Sequence, residues 1–300
     1  MHAHPAPTSP RPLDAAALRR DLVDGAGAGY TELEVVDEIG STNAELIRRA
    51  AAGAPDRTVL LTEYQAAGRG RQGRSWTAPP RTQVAMSVLL RPGAVAPDLF
   101  GWLPLVTGLA VRDGLRAAGG VEATLKWPND VLVDGRKTAG ILVEMTTVPA
   151  GGDFSVRLPA LVVGVGINVS LTEDELPVPH ATSLSLAGGV TDRDAVATAV
   201  LEALAVRHTQ WRACERGSGS SVSDALLAEY SQACSTLGSD VRVELPGDVV
   251  RSGRAARVDR QGRLVVVDTG QGRDDSGGGE FAVAAGDVTH LRGADGGLGG

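Results

Sequence analysis

The chain has 300 residues, of which 43% are hydrophobic and 22% are charged, and its formal net charge is −7. This composition is typical of one large globular domain or two smaller ones, and the acidic balance argues against general nucleic-acid binding. Two cysteines exclude a disulfide framework and a thiolate zinc site, and no apolar stretch is long enough to span a bilayer. We therefore expect a cytoplasmic protein in a reducing environment, without membrane association.

The N-terminal third of the sequence predicts helices and strands in alternation. Thr42 and Glu45 have the spacing of a capping box, and Gly53 is placed to end the helix that follows. The predicted elements are a disordered tail (1–12), a short helix (13–24), a strand (33–39), the capped helix, and two strands (58–63 and 83–90) that flank a loop rich in glycine and arginine.

The middle of the chain continues the same mixture, which predicts an α/β domain built on a mixed sheet. Asp134 and Gly135 supply the chemistry of a tight hairpin. The predicted elements are a glycine-weakened helix (99–118), strands at 124–127, 130–133, 139–145 and 160–169, a long amphipathic helix (192–213), a flexible stretch (214–224) and a helix to about Thr236.

From Asp240 onward the pattern changes to short strands about ten residues apart, which is typical of a small β-barrel. These strands are predicted at 241–245, 254–259, 264–267, 281–285 and 288–291. The predicted division of the chain is a tail and short helix (1–30), a catalytic domain (31–236), a barrel (237–293) and a disordered tail (294–300). Segments 148–160 and 270–280 are interpreted as lengthened loops.

The loop "GRGRQGR", from Gly68 to Arg74, carries three arginines and three glycines in an acidic protein. Its spacing is close to both a dinucleotide fingerprint and a phosphate-binding P-loop. Each of those needs a helix directly after the loop, and Pro79-Pro80 does not favour one. A solvated basic turn is the remaining alternative. We favour a mobile loop that binds a small anion, because arginine holds phosphate oxygens with two parallel hydrogen bonds.

A second cluster of polar residues lies in "KWPNDVLVDGRKTAGILVE" (126–144), around a tight turn and a hairpin. Lys126 and Asp130 could serve a ligand or form only a surface ion pair. Further on, Gly164 and Gly166 interrupt an apolar strand, which indicates the close approach of a ligand or another backbone. Asn168 follows them and can act as both donor and acceptor.

Five motifs in series resemble the family of biotin–protein ligases, in a form that lacks the N-terminal DNA-binding domain. They are "STN" (41–43), "YQAAGRGRQGRSW" (64–76), "KWPNDV" (126–131), "RKTAGILVE" (136–144) and "GVGIN" (164–168). The resemblance implies a class II synthetase-like catalytic domain followed by an SH3-like barrel. It also implies that biotin and ATP are substrates, with Mg²⁺, for biotinyl-5′-AMP formation and transfer to a lysine of a biotin carboxyl carrier domain of acyl-CoA carboxylases.

The resemblance further implies the roles of individual residues. Four residues would be catalytic: Lys137, Arg71, Arg69 and Asp130. The biotin pocket would comprise Ser41, Thr42, Asn43, Gln65, Arg69, Gly70, Arg71, Lys137, Gly140, Gly164 and Gly166. The ATP site would comprise Arg71, Arg74, Trp76, Lys126, Asn129, Asp130 and Asn168. Purely structural roles stay open for Trp76 as a packing residue and for 41–43 as a helix cap.

Two other functions remain to be weighed against this one. A lipoate–protein ligase would share the adenylate chemistry, and a catalytically silent protein would only bind biotin or a nucleotide. Only about thirty residues precede Leu33, so we expect no DNA binding and no repressor function. We expect a monomer or a weak ligand-linked dimer, and a magnesium ion held mainly by phosphates.

Overall fold

The computed structural model describes residues 10–25, 28–150, 153–214, 221–245, 249–268, 279–284 and 287–290. They form a large sheet with helices on both faces and a smaller antiparallel sheet near the C-terminus. The predicted terminal tails lie mostly outside these ranges. None of the described helices combines the length and hydropathy that crossing a membrane requires.

Five α-helices and twelve strands are described. The helices are α1 (Ala15–Arg19), α2 (Thr42–Ala51), α3 (Leu103–Gly114), α4 (Arg193–Ala213) and α5 (Asp224–Ala233). The strands are β1 (Glu32–Ile39), β2 (Thr58–Gln65), β3 (Gln83–Leu90), β4 (Thr124–Lys126), β5 (Asp130–Val133), β6 (Arg136–Ala150), β7 (Asp153–Asn168), β8 (Asp240–Leu245), β9 (Val249–Val258), β10 (Leu264–Asp268), β11 (Glu280–Val283) and β12 (Asp287–His290).

The larger sheet has seven strands in the order β1-β2-β3-β7-β6-β5-β4. β1 and β2 are parallel, and the other neighbouring strands are antiparallel. Alternate residues of a strand face opposite sides of a sheet. Val163 and Val165 therefore join the main core with α3 and α4, whereas Leu89 and Val162 pack beneath Leu46 of α2. The mixed sheet between helices confirms the predicted α/β class.

The smaller core under α2 ends where the side chains on that face of β7 become short. Gly164 and Gly166 are the next residues on this face, and their partners on β3 are Ser87 and Ala85. Gly140 of β6 pairs with Gly166 from the other side. Since these residues have short side chains or none, the sheet beside α2 presents bare backbone, and this region is called the hollow below.

The start of α2 differs by one residue from its prediction. Ser41 is the N-cap, and its hydroxyl accepts from the N–H of Ala44 at 3.4 Å. The predicted capping box between Thr42 and Glu45 is therefore wrong. Thr42 already lies inside the helix, where its N–H donates to Gln65 on β2.

The predicted loop at 148–160 is also wrong, because its described residues belong to β6 and β7, which form a long antiparallel pair. Their register extends from Ala139–Ile167 to Pro149–Arg157. Segment 270–278 lies outside the described residues, so the other predicted loop stays a prediction. Arg11, inside the predicted tail 1–12, forms an ion pair with Asp194 at the start of α4, so the described end of that tail is docked.

The C-terminal sheet has five antiparallel strands in the order β11-β10-β9-β8-β12. It confirms the small all-β unit, although the pairings among the described residues form an open order and not a closed ring. The helix predicted to reach Thr236 ends at Ala233 as α5, because Cys234 is extended and pairs with Leu125 of β4. The predicted division of the chain into domains stays a prediction.

Candidate functional site

One row of cross-strand neighbours crosses the hollow in the larger sheet. Asp130 of β5 pairs with Gly140 of β6, and Gly140 pairs with Gly166 of β7. Gly166 pairs in turn with Ala85 of β3. Because directly paired residues point to the same face, the Asp130 carboxylate stands at one end of a floor that is almost free of side chains. A ligand can lie directly against the backbone of such a floor.

The indole of Trp76 lies on this glycine floor. A Cβ atom added at Gly140 would be 2.8 Å from Trp76 Cζ3, and one added at Gly166 would be 2.7 Å from Trp76 Cζ2. Trp76 Nε1 donates to Gln83 Oε1 at 2.6 Å, and Lys137 Nζ is 5.7 Å from the ring centroid. The glycine–arginine loop thus places its own aromatic ring where the resemblance places a substrate. The predicted contact of Trp76 with adenine stays a prediction.

Substrate binding is expected to change the fluorescence of Trp76, because a ligand on the floor must either displace or cover the indole. The other tryptophans, Trp102, Trp127 and Trp211, are at most 1% exposed and report weakly on the hollow. Titration with the two compounds that the resemblance implies, biotin and ATP, should give a saturable change in emission. A change of the same size in Trp76→Phe would contradict this expectation.

A buried polar wall borders the hollow at the start of α2. Thr42 N donates to Gln65 Oε1 at 3.0 Å, and the Ser87 hydroxyl donates to Asn43 Oδ1 at 2.6 Å. Gly164 admits this amide, since a Cβ atom there would be 2.9 Å from Asn43 Cγ. Each of these polar side chains is at most 9% exposed. The wall can offer both donors and acceptors to a polar ligand.

The glycine–arginine loop folds back on itself beside this wall. Gly70 N donates to Arg74 O at 2.6 Å, and the next residue, Arg71, begins a single 3₁₀ turn. The Arg69 guanidinium lies 3.5 Å from the carboxylate of Glu144, and half of the Arg69 side chain is exposed. An exposed ion pair of this kind contributes under about 1 kcal/mol. Arg69 is therefore held weakly enough to turn toward a ligand.

Two polar links near the "KWPND" turn complete the site. Lys137 Nζ is 2.6 Å from Asp130 Oδ1, and both side chains are largely shielded from solvent. Arg71 NH1 donates to Asn129 Oδ1 at 3.0 Å, while Asn129 Nδ2 donates to the carbonyl of Ile141 at 3.0 Å. The loop, the turn and β6 are thus joined through Asn129.

Positive charge accumulates at this end of the hollow. Burial lowers the pKa of Lys126, Asp130 opposes that shift, and the charges of Lys137 and Arg74 add to it. Burial likewise lowers the pKa of Arg71, again with Asp130 acting in the opposite direction. The cations outnumber the Asp130 carboxylate, so an anion with several charges would relieve their mutual repulsion.

A segment that the sequence did not predict holds Lys137 and Asn168. Lys137 N donates to His180 O at 2.8 Å, and Thr182 N donates to Lys137 O at 2.8 Å. Asn168 Nδ2 donates to Thr182 O at 3.0 Å, and Asn168 is 2% exposed. Asn168 thus has a structural anchor, and its predicted contact with the nucleotide stays a prediction.

Four further residues of the site were missed: Gln83, Ser87, Glu144 and Thr182. Gln83 and Ser87 are polar residues four positions apart in an apolar strand, which was a usable signal. Glu144 ends one of the five motifs, but the resemblance implies no role for it. Thr182 left no signal, because it acts through its backbone. Within the described ranges, no three His, Cys, Asp or Glu side chains come together so that they could hold a metal ion.

Comparison with known proteins places this chain in a family. The model of the biotin/lipoate A/B protein ligase family matches residues 38–168, an interval that contains every predicted site residue. A biotin–[acetyl-CoA-carboxylase] ligase of Mycobacterium tuberculosis is 44% identical over 286 residues, which cover 94% of this chain and 97% of that relative. The chain belongs to the biotin protein ligase family.

Other members of the biotin protein ligase family agree with this assignment. A biotin–[acetyl-CoA-carboxylase] ligase of Paracoccus denitrificans is 38% identical and covers 58% of this chain and 70% of its own. The solved structure of biotin protein ligase from Aquifex aeolicus, in complex with biotin and ATP, has a TM-score of 0.67 at 25% identity. It covers 88% of this chain and 100% of its own. The predicted resemblance is confirmed.

Proposed function

We propose that this chain is an ATP-dependent biotin–protein ligase, which forms biotinyl-5′-AMP and transfers the biotinyl group to a lysine of a carrier domain. The proposal depends mainly on one feature of the structure, the surface formed by the glycine floor and the charged residues at its end. A floor of paired glycines, Gly140 and Gly166, ends at Asp130, which is 2.6 Å from Lys137. Such a floor can hold an extended acid, and the cations beside it can hold a triphosphate.

In the first step, a carboxylate oxygen of biotin attacks the α-phosphorus of ATP. The new bond is an acyl phosphate, and the bond that breaks releases pyrophosphate with its electron pair. No proton has to move, so the protein's contribution is orientation and fixed positive charge. In this proposal Lys137 and Arg71 stabilise the charge on the phosphoryl oxygens. Mg²⁺ accompanies the triphosphate, whose oxygens it prefers as ligands.

In the second step, the amine of the carrier lysine attacks the acyl carbon of the adenylate. An amide bond forms, the bond between the acyl carbon and the phosphate oxygen breaks, AMP leaves, and the proton that the amine loses passes to solvent. The mixed anhydride is reactive enough that no covalent intermediate with the protein is needed. The loop carrying Arg71 has the complementary task of keeping the adenylate from water until the carrier arrives.

Biotin-dependent exchange of pyrophosphate into ATP tests the first step. Labelling of an apo carrier domain in the presence of ATP and Mg²⁺, detected with streptavidin, tests the second. Competition between biotin and lipoate in the exchange reaction shows which acid the protein uses, and we expect a strong preference for biotin. A protein that binds biotin but shows neither exchange nor labelling would be a silent binding protein and would contradict the proposal.

We infer that the carrier is the biotin carboxyl carrier domain of an acyl-CoA carboxylase. The inference is supported by the names of the two relatives from Mycobacterium tuberculosis and Paracoccus denitrificans, both acetyl-CoA-carboxylase ligases. The lack of DNA binding, the monomeric or weakly dimeric state and the cytoplasmic location stay predictions. An assay of binding to operator DNA tests the first of these predictions. The molecular mass from sedimentation, measured with and without biotin, tests the second.

Replacing Arg71 by glycine is expected to release the adenylate early. The Arg71 guanidinium holds the loop to Asn129 by a 3.0 Å hydrogen bond. Loss of this hydrogen bond should let the loop move away from the acyl phosphate. Loss of one hydrogen bond to a charged group should speed dissociation about tenfold or more. Labelling of lysines on bystander proteins, such as serum albumin, measures this release.

Gln72→Gly is the matched control for Arg71→Gly. Gln72 is exposed and has a φ of 54°, a conformation that glycine adopts without strain. Gln72→Gly therefore changes the flexibility of the same loop and keeps the guanidinium of Arg71. Equal bystander labelling by Gln72→Gly and Arg71→Gly would assign the effect to loop mobility and would contradict the role given to Arg71.

A further inference from the structure

The segment that connects α5 to the C-terminal sheet runs along β4, the edge strand of the larger sheet. Ser235 N donates to Leu125 O at 2.8 Å, and Leu125 also forms a parallel bridge with Cys234. This pairing carries Thr236, which is fully buried, to the backbone of Trp127. The Trp127 N–H donates to Thr236 Oγ1 at 3.0 Å.

The C-terminal sheet adds two further contacts at the same place. His290 of β12 has its Nε2 3.2 Å from Thr236 Oγ1. The Trp127 indole N–H donates to the carbonyl of Gly262, in the turn between β9 and β10, at 3.0 Å. Trp127 is 1% exposed. Its backbone and its ring are therefore both fixed by groups that lie outside the predicted catalytic sheet.

Trp127 is the second residue of the "KWPN" turn, between two residues with a proposed role in binding ATP. Lys126 precedes it, and Asn129, which holds the guanidinium of Arg71, follows two positions later. A shift of the Trp127 backbone would move both side chains relative to the glycine floor. The contacts of Trp127 thus bear on the nucleotide end of the site.

The protonation state of His290 decides whether its imidazole accepts a hydrogen bond from Thr236 or donates one to it. Burial lowers the pKa of His290, and the positive charge of Lys126 lowers it further. Among the described residues, Lys126 is the charged side chain whose field lowers the pKa of His290. The neutral imidazole can accept the hydroxyl proton of Thr236, which leaves the lone pairs of Oγ1 for the Trp127 N–H. A protonated imidazole would have to donate to the same oxygen.

We propose that Thr236 and His290 are positioning residues for ATP, which set the turn at 126–129 through the backbone of Trp127. Neither residue touches the reacting atoms. The inference rests on the proposed ligase function, and it predicts an effect on the use of ATP that is separate from the use of biotin. It also gives the C-terminal sheet a part in the adenylation step.

Thr236→Val tests the first contact, because it keeps the shape of the side chain and removes the hydroxyl. The KM for ATP in pyrophosphate exchange should rise about tenfold, with the KM for biotin changed less than about twofold. Thr236→Ser should restore the wild-type value. An unchanged KM for ATP in Thr236→Val, or an equal rise for biotin, would overturn the inference.

Trp102→Phe is the control for a purely structural effect. The Trp102 indole N–H donates to Arg260 O at 3.0 Å, so this variant also loses a hydrogen bond to the C-terminal sheet, away from the turn. Its melting temperature should fall together with that of Thr236→Val, but its KM for ATP should stay at the wild-type value. A rise in the KM for ATP in both variants would mean that general loosening is the cause.

A pH profile tests His290 independently of folding. Because the pKa of His290 lies below the ordinary value for histidine, about 6.5, the KM for ATP of the wild type should rise only at a pH below that value, where protonation disturbs the contact with Thr236. His290→Gln keeps an acceptor and cannot titrate, so the ratio of its KM to that of the wild type should fall over this range. A constant ratio would overturn the role of His290. Absence of exchange in the wild type would instead reject the ligase function itself.

Discussion

Lys137→Ala is expected to lower biotin-dependent pyrophosphate exchange by about a thousandfold. Removal of one fixed group that stabilises transition-state charge typically costs two to three orders of magnitude in rate. Lys137 is held in place from several sides: its Nζ is 2.6 Å from Asp130, and its backbone pairs with His180 and Thr182. The ammonium is therefore already oriented before substrates bind. Exchange and single-turnover adenylate formation both measure the loss.

Arg136→Ala is the matched control, since it removes a neighbouring cation of the same strand. Arg136 forms an ion pair with Glu173 at 2.6 Å on the outer side of the strand. Its loss should leave the exchange rate within about twofold of the wild type, as for other exposed ion pairs. Circular dichroism should show that both variants fold. Retention of a tenth or more of the exchange activity by Lys137→Ala would remove Lys137 from the proposed mechanism.

The sequence predicted the strands and long helices well, because their burial follows a regular period. It predicted strand 83–90 and helix 192–213 to within one residue of β3 and α4. It failed at 148–160, where Pro149 and the adjoining glycines are typical of a loop. The antiparallel ladder of β6 and β7 overrides that local preference. It also misplaced the N-cap, because Ser41 and Thr42 are both good caps and only Gln65, distant in sequence, distinguishes them.

The candidate site was predictable in its residue types but not in its layout. The motifs contain Lys137, Asp130 and the three glycines, but they do not reveal that Gly140 and Gly166 are direct neighbours on adjacent strands. That relation depends on the register of β6 and β7, which local sequence does not specify. The contacts of Trp127 with the C-terminal sheet were equally out of reach, because they join residues more than one hundred positions apart.

Gly166→Val is expected to weaken biotin binding about a hundredfold while the strand itself is retained. Valine favours the extended backbone of β7, but its side chain would stand on the floor where the acid must lie. Overpacking in a closely fitted space costs up to about 3 kcal/mol, which corresponds to this change in affinity. Calorimetric titration with biotin measures it. Gly40→Ala is the control, because a Cβ atom at Gly40 would meet nothing within 4 Å.

A second variant separates the two reasons for which Gly166 could be needed. In this structure a Cβ atom at Gly166 would stand 2.7 Å from Trp76 Cζ2, so the glycine is already required by the indole alone. Combining Gly166→Val with Trp76→Ala removes that clash and should recover most of the lost melting temperature. If the floor serves biotin, the affinity for biotin stays low in the double variant. Recovery of wild-type affinity would show that Gly166 makes room only for Trp76.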